Sequence, residues 1–462
     1  MVGKRHRLVS TRKAAGFSQE RLAEVVGVER TTVMRWERGE TRPQPWARPK
    51  LARALGISDQ SLSELLGEST ALARASPTEI SVIAGSSMPE EVVDEAGCDP
   101  VLSASWNQQG TVKASVALSV DCSVGHRRFT PMTGTGLTAP AHQWLIRDPE
   151  PLASGLSGGR VSAALADQLS AMIATLRAMD DAAGGGTVLP LAQQAFGWVA
   201  DLLDQASYDE RTGRRLYISL AELGQLTGWV AHDGGHPELG QRYHVAALRA
   251  AHSADDRPLG AHILGCMADQ AARHGRPAEA VTLIKTALVG IRRWETPRLL
   301  AELHMRNAYA LATLRDGTAC LVAVAKARAQ VEQFGPDNDP SWMYWVSPAE
   351  ITAGAGDCLL QLDQPAEAAA LLTDGIAMFD ESFARDRQIY LTHLSDALVR
   401  PGKQRDFDAA VDRGLAALHL AESLISTRGL ECLRDLYRQI QSHARVPAVG
   451  DFLERLRGVL AA

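Results

Sequence analysis

The sequence predicts a mainly α-helical protein with a compact helical head, a partly irregular linker and a long body of stacked helices. Three observations carry this expectation. Residues 18–39 hold two short amphipathic segments joined through Gly27. From about Val161 onward the chain is rich in Ala and Leu and shows no strand alternation. Within that body the run Pro-Ala-Glu-Ala occurs twice, at residues 277–280 and 365–368.

The head is specified by local signals that agree. Leu22, Ala23 and Val26 fall at i, i+1 and i+4, one face of a helix, and Val33 and Trp36 share a face on the next. Ser18 can cap the first helix, and Glu20 places negative charge in its first turn, where the backbone dipole favours it. Gly27 stands where the chain must reverse. Gly39 suits the left-handed position just past the second helix.

At this spacing, Ser18-Gln19-Glu20, Leu22-Ala23, Gly27-Val28, Val33, Trp36-Glu37 and Gly39 form a pattern that resembles the five-helix Cro/C1-type (XRE) DNA-binding domain, over Val9 to Leu55. The resemblance implies a recognition helix from about Arg30 to Arg38. Arg30, Thr31, Thr32 and Arg35 would enter the major groove. Gln19 would hold a phosphate and brace that helix, and Arg12 would pair with Glu37.

The chemistry suits these roles. An arginine fork can grip guanine O6 and N7, worth roughly 1–3 kcal/mol of base discrimination, and a threonine can bond a base edge or pack against a thymine methyl. Lys4, Arg5, Arg7, Arg38, Arg42 and Arg48 read as phosphate contacts, which bind without specifying sequence. Members of the family often carry Gln, Ser or Asn at the first recognition positions, so a relative's operator does not transfer to this chain.

Charge is distributed to match. The whole chain of 462 residues has a formal charge of −6, but residues 1–67 carry 13 Lys+Arg against 7 Asp+Glu, a net +6, leaving −12 on the rest. A basic head on an acidic body concentrates affinity for phosphate in the head. The six cysteines, at 98, 122, 266, 320, 358 and 432, have no metal-binding spacing and read as reduced, mostly buried thiols. His232 and His236 sit in a Gly/Pro loop rather than on a ligating helix face. No metal and no cofactor is expected. No apolar run is long enough for a membrane span, and a cytoplasmic protein is expected.

Residues 68–160 read as a linker rich in Ser, Thr, Gly and Pro. Val112, Ala114, Val116, Leu118 and Val120 alternate with Thr111, Lys113, Ser115, Ala117 and Ser119, a strand pattern. A second such stretch, Glu79 to Ala84, would complete a small β hairpin.

The body, 161–462, carries weaker copies of the repeated element at 232–248, 314–327 and 402–418, with turns at Pro237, Pro277, Thr318, Pro365 and Phe407. Proline suits a first helical turn because its missing N–H costs nothing there. The pattern resembles tetratricopeptide-like (TPR) repeats at a longer step than usual, and implies an α-solenoid with a concave groove. Leu430 to Leu460 reads as a closing helix pair. The groove residues expected first are Asn307, Trp342, Tyr344 and Trp345. Trp229, Tyr243, Arg249, His262, Arg306, Tyr309 and Tyr390 are further candidates. Packing between repeats is the other reading of the aromatic run 341–345.

Head and body together resemble the RNPP-type peptide-sensing regulators. They come closer in texture to actinobacterial XRE regulators, through segments such as APAHQWL at 139–145. The resemblance implies a homodimeric, sequence-specific transcriptional regulator on double-stranded DNA with a palindromic operator. Its effector would be a peptide, a small molecule or a protein. The alternative is a protein-interaction scaffold whose head does not bind DNA. An enzyme is not expected: the Gly-rich runs at 154–160 and 183–187 lack the strand context and lysine of a phosphate loop.

Overall fold

The computed structural model describes residues 8, 11–13, 15, 17–38, 41, 43, 47–55, 99–124, 129–152, 155–156, 159–335 and 337–461. It is a mainly α fold in two compact units, residues 1–93 and 94–462.

In the first unit, α1 (Gln19–Val26), α2 (Arg30–Arg38) and α3 (Arg48–Leu55) follow a helical stretch that includes Thr11, Arg12 and Lys13. Ser18 caps α1, its hydroxyl accepting from the Arg21 amide at 3.1 Å. Gly27 ends the helix in the left-handed conformation at φ 81°. Leu22, Val26, Val33, Trp36 and Leu51 close one small core. Gly39, Arg42, the stretch 79–84 and part of the expected five-helix count lie outside the described residues.

The second unit opens with α4 (Pro100–Ser103), α5 (Gln108–Val124) and α6 (Thr135–Ile146). The strand expected over 112–120 is therefore corrected to helix. Thr111, Ala114, Ser115 and Leu118 form its buried face, a 3.6-residue period that alternation of polarity concealed. The hydroxyls of Ser115 and Ser119 donate to carbonyls four residues back, each at 2.9 Å, so serine can face inward without an unmet bond. Val112, Leu118, Leu137 and Trp144 join the main core of the body, so these residues are packed structure rather than linker.

Next come α7 (Ala163–Ala183), α8 (Gly185–Gln205), α9 (Glu210–Asp233), α10 (Pro237–Ser253), α11 (Arg257–Arg273), α12 (Pro277–Gly290), α13 (Pro297–Thr313) and α14 (Gly317–Arg328). Then follow α15 (Pro348–Gln361), α16 (Pro365–Met378), α17 (Ala384–Val399), α18 (Phe407–Ala421), α19 (Thr427–Ile440) and α20 (Pro447–Ala461). A two-residue antiparallel pair, β1 (Gly155–Leu156) and β2 (Ser207–Tyr208), is the only sheet among the described residues.

All five repeat turns fall at the start of a helix, α10, α12, α14, α16 and α18. The first four joints share one backbone solution. Gly235, Gly275, Arg315 and Asp363 take positive φ, and the residue after each donates back to a carbonyl five positions earlier, at 2.8 to 3.0 Å. This paired closure satisfies carbonyls a helix end leaves open. Successive joints from 235 to 275 to 315 are forty residues apart, so a structural repeat underlies the faint sequence repeat. Small residues allow close helix contact. A Cβ on Gly375 would lie 2.6 Å from the Ala353 nitrogen, which brings α16 against α15.

The stack closes on itself. The Ile425 amide donates to the Ala183 carbonyl and the Gly186 amide to the Ile425 carbonyl, both at 3.0 Å. The run Gly184-Gly185-Gly186 makes this possible: Gly184 sits at φ 82°, and a Cβ there would lie 2.8 Å from the Ile425 oxygen. Asp233 locks the joint, accepting from the Gly185 amide at 2.9 Å and from the Ser426 hydroxyl at 2.9 Å. Arg385 reaches Asp180 at 2.7 Å across 205 residues of sequence.

Candidate functional sites: the helix-turn-helix head and a central cavity

In the head, one buried carboxylate organises α2. Glu37 accepts Arg12 Nε through Oε1 at 2.7 Å and Gln19 Nε2 through Oε2 at 2.6 Å. Arg12 also donates to the Phe17 carbonyl at 2.6 Å. The expected Arg12–Glu37 pair is thus present, and Gln19 braces α2 directly. With Val33, Trp36 and Glu37 turned inward, α2 leaves Arg30, Thr31, Arg35 and Arg38 exposed and Thr32 half-buried. Arg30 is not a bare cation: it pairs with Glu20 at 2.8 Å, both side chains exposed. Thr31 donates weakly to Glu29 at 3.3 Å.

In the body, the inner faces of α7, α9, α11, α13, α15, α17 and α19 surround a cavity of about 140 Å³. Trp342, Tyr344 and Trp345 line it, as do Trp229, His262, Arg306, Tyr309 and Tyr390. Asn307, Tyr243 and Arg249 are not among its lining residues. Tyr243 is core, edge-on to Phe196 with centroids 5.1 Å apart. Arg249 lies over Trp106 at 4.6 Å and donates to the Ser105 and Leu102 carbonyls. Asn307 keeps a buried Oδ1 without a partner.

The aromatic run does not form an α-helix. Ser341–Met343 is a short 3₁₀ turn, held by Arg298, which donates to the Tyr344 and Val346 carbonyls and pairs with Asp339. The Tyr344 hydroxyl then reaches Asp181 at the end of α7. Arg385 and Arg428, which the sequence did not single out, complete the site. Three guanidiniums converge on Trp229, with Arg428 at 4.8 Å, Arg306 at 5.6 Å and Arg385 at 5.7 Å from its ring centroid. They come from three helices distant in sequence, and nothing local marks Arg385 or Arg428.

Burial controls the ionisation here. His262 is buried, which opposes its charge, but the Glu302 carboxylate at 2.8 Å outweighs burial and lifts it to about 9. Burial raises Asp181 to about 7 despite Arg385. Burial, reinforced by nearby Asp386, raises Glu350 to about 7. Asp269 behaves oppositely: Arg273 and Arg306 overcome burial and hold it below the usual carboxylate range.

Among the described residues, His262, Cys266 and Glu302 bring potential metal-ligand atoms within 4.8 Å of one another. Their chemistry does not call for a cation. Glu302 is already bound by His262 and by Arg306 at 2.8 Å, and the Arg306 guanidinium also stands 3.9 Å from Cys266 Sγ.

A family model described as a helix-turn-helix domain matches residues 5–65. The head is a helix-turn-helix domain. No curated protein matches the chain. Among the described residues no helix is long and apolar enough to cross a membrane.

Proposed function

We propose that the protein is a sequence-specific transcriptional regulator of the Cro/C1 (XRE) type. In this reading two heads of a homodimer place α2 in successive major grooves about one helical turn apart, ~34 Å, on a palindromic operator. Arg30, Thr31, Thr32 and Arg35 read bases, and Gln19, Arg38 and Arg42 hold phosphates. The body acts as a TPR-like sensor in the cytoplasm rather than as an enzyme, its effector bound in the central cavity. An effector acts only through different affinity for two states of the body. The closure between Ile425 and Ala183–Gly186 is the element such binding would bias.

The observation that carries the reading is the buried Glu37 brace, which fixes α2 with Arg30, Thr31 and Arg35 on its outer face. The test is genome-wide binding of the tagged full chain, with an Arg30→Ala/Arg35→Ala control. A shared inverted repeat, lost in the control, supports the regulator. Absence of enrichment in several growth conditions moves the reading to a protein-interaction scaffold.

A further inference from the structure

The charges that line the central cavity are not balanced. Every arginine there has a carboxylate within 4 Å: Arg177 with Glu222 at 2.9 Å, Arg273 with Asp269 at 3.0 Å, Arg306 with Glu302 at 2.8 Å, Arg385 with Asp180 at 2.7 Å and Arg428 with Asp233 at 3.4 Å. Arg428 Nε makes no hydrogen bond among the described residues, and three of the carboxylates are less well served still. Glu350 has no ion-pair partner among the described residues; its donor is the Tyr390 hydroxyl at 2.8 Å. Asp181 takes the Tyr344 hydroxyl and lies 3.7 Å from Arg385, a guanidinium already engaged by Asp180 and Asp386. Asp180, 3% exposed, keeps Oδ1 without any partner at the cavity wall. A buried carboxylate without a matching cation is costly. The side chains beside these acids are aromatic, and such faces attract cations as well as apolar groups.

We propose that the cavity binds a small organic cation, an amine or amidinium on an apolar or aromatic body, with its charge held between Asp181 and Glu350 and its body against Tyr344, Trp345 and Tyr390. This rests on the reading of the body as an effector-binding domain. Size agrees: a cavity of about 140 Å³ is close to the roughly 150 Å³ that accepts one benzene ring. Position agrees as well. Asp181 belongs to α7, next to the closure at Ala183, and Glu350 to α15, and both line the cavity. A cation bound by both ties the first helices of the stack to the later ones. Burial raises the Asp181 and Glu350 carboxyls to about 7, against the lowering pull of Arg385 on the first and of Arg306 and Arg428 on the second. Binding therefore releases protons and strengthens as pH rises through 7.

The test is calorimetric titration of the full chain with 2-phenylethylamine, 2-phenylacetamide and phenylacetate, which share one body and differ in head charge. The amine is expected to bind at least ~10-fold more tightly than the amide, with phenylacetate weaker still. Asp181→Asn and Glu350→Gln, each isosteric, should each weaken the amine ~10-fold. Preference for phenylacetate, or an amine affinity unmoved by both variants, overturns the cation and leaves the effector-binding reading in place. Failure of all three probes to bind also overturns the cation, while the effector-binding reading stands or falls with the DNA-binding test.

Discussion

Arg12 and Glu37 form a buried ion pair, Nε to Oε1 at 2.7 Å, that ties the start of the head to the end of α2. Both side chains are less than a tenth exposed, so neither charge has water to fall back on. Gln19 occupies the second carboxylate oxygen. Removing one partner of such a pair strands the other, at a cost of about 3–5 kcal/mol. Glu37→Ala should therefore destabilise the head by that order and release α2. Hydrogen exchange on amides 30–38 of the full chain should accelerate strongly, with the body unchanged. Unaltered protection would show that the brace does not hold the helix.

Arg35 and Arg38 are both exposed on α2, and the proposed reading gives the first a base and the second a phosphate. Arg35→Ala should cost ~1–3 kcal/mol and relax preference at one base position, the signature of a lost base reader. Arg38→Ala should weaken all sequences alike and reduce the salt slope by about one, the signature of a lost phosphate contact. Binding to a set of single-base operator variants at several salt concentrations reads both.

Trp144 anchors α6 to the helix stack. It is fully buried, a Cβ on Gly260 or on Gly290 would come within 2.3 Å of its ring, and Arg257 lies over it at 5.2 Å. Trp144→Ala removes a large core side chain that the rigid helices around it cannot replace, and should cost about 3–5 kcal/mol. Chemical denaturation of the full chain measures it. A loss under ~1 kcal/mol would mean α6 docks by other contacts.

The body should lose stability in acid through two histidines. Burial depresses His232 and His244 to about 3 in the folded chain, below the ~6.5 of an unfolded histidine. The native state thus binds fewer protons, so their contribution is complete above about pH 6.5 and is lost as pH falls toward 3. His244→Leu should move the acid-unfolding midpoint to lower pH, read by circular dichroism. An unmoved midpoint would place the acid sensitivity elsewhere.

What the sequence disclosed depended on how local the cause was. Ser18, Gly27 and the apolar positions of α1 and α2 act within a turn or two, and the head was legible from them. The Arg12–Glu37 pair spans 25 residues and was reached only through family resemblance. Repeat turns were legible because Pro and small residues mark them. Helix α5 was misread because Ser115 and Ser119 point inward and bond their own backbone. The acidic half of the cavity was not legible: Asp180 meets Arg385 across 205 residues, and Asp181 meets Tyr344 across 163. Only closure of the helix stack brings them together. The run 183–187, set aside as a phosphate loop, proves to be the place where that closure needs glycine.

The most direct test of the account is selection of binding sequences from random double-stranded DNA by the full chain, beside its Arg30→Ala/Arg35→Ala variant. The account predicts an inverted repeat with half-sites about 10–10.5 base pairs apart for the parent and its loss in the variant. Equal enrichment by both proteins, or none by either, would contradict it.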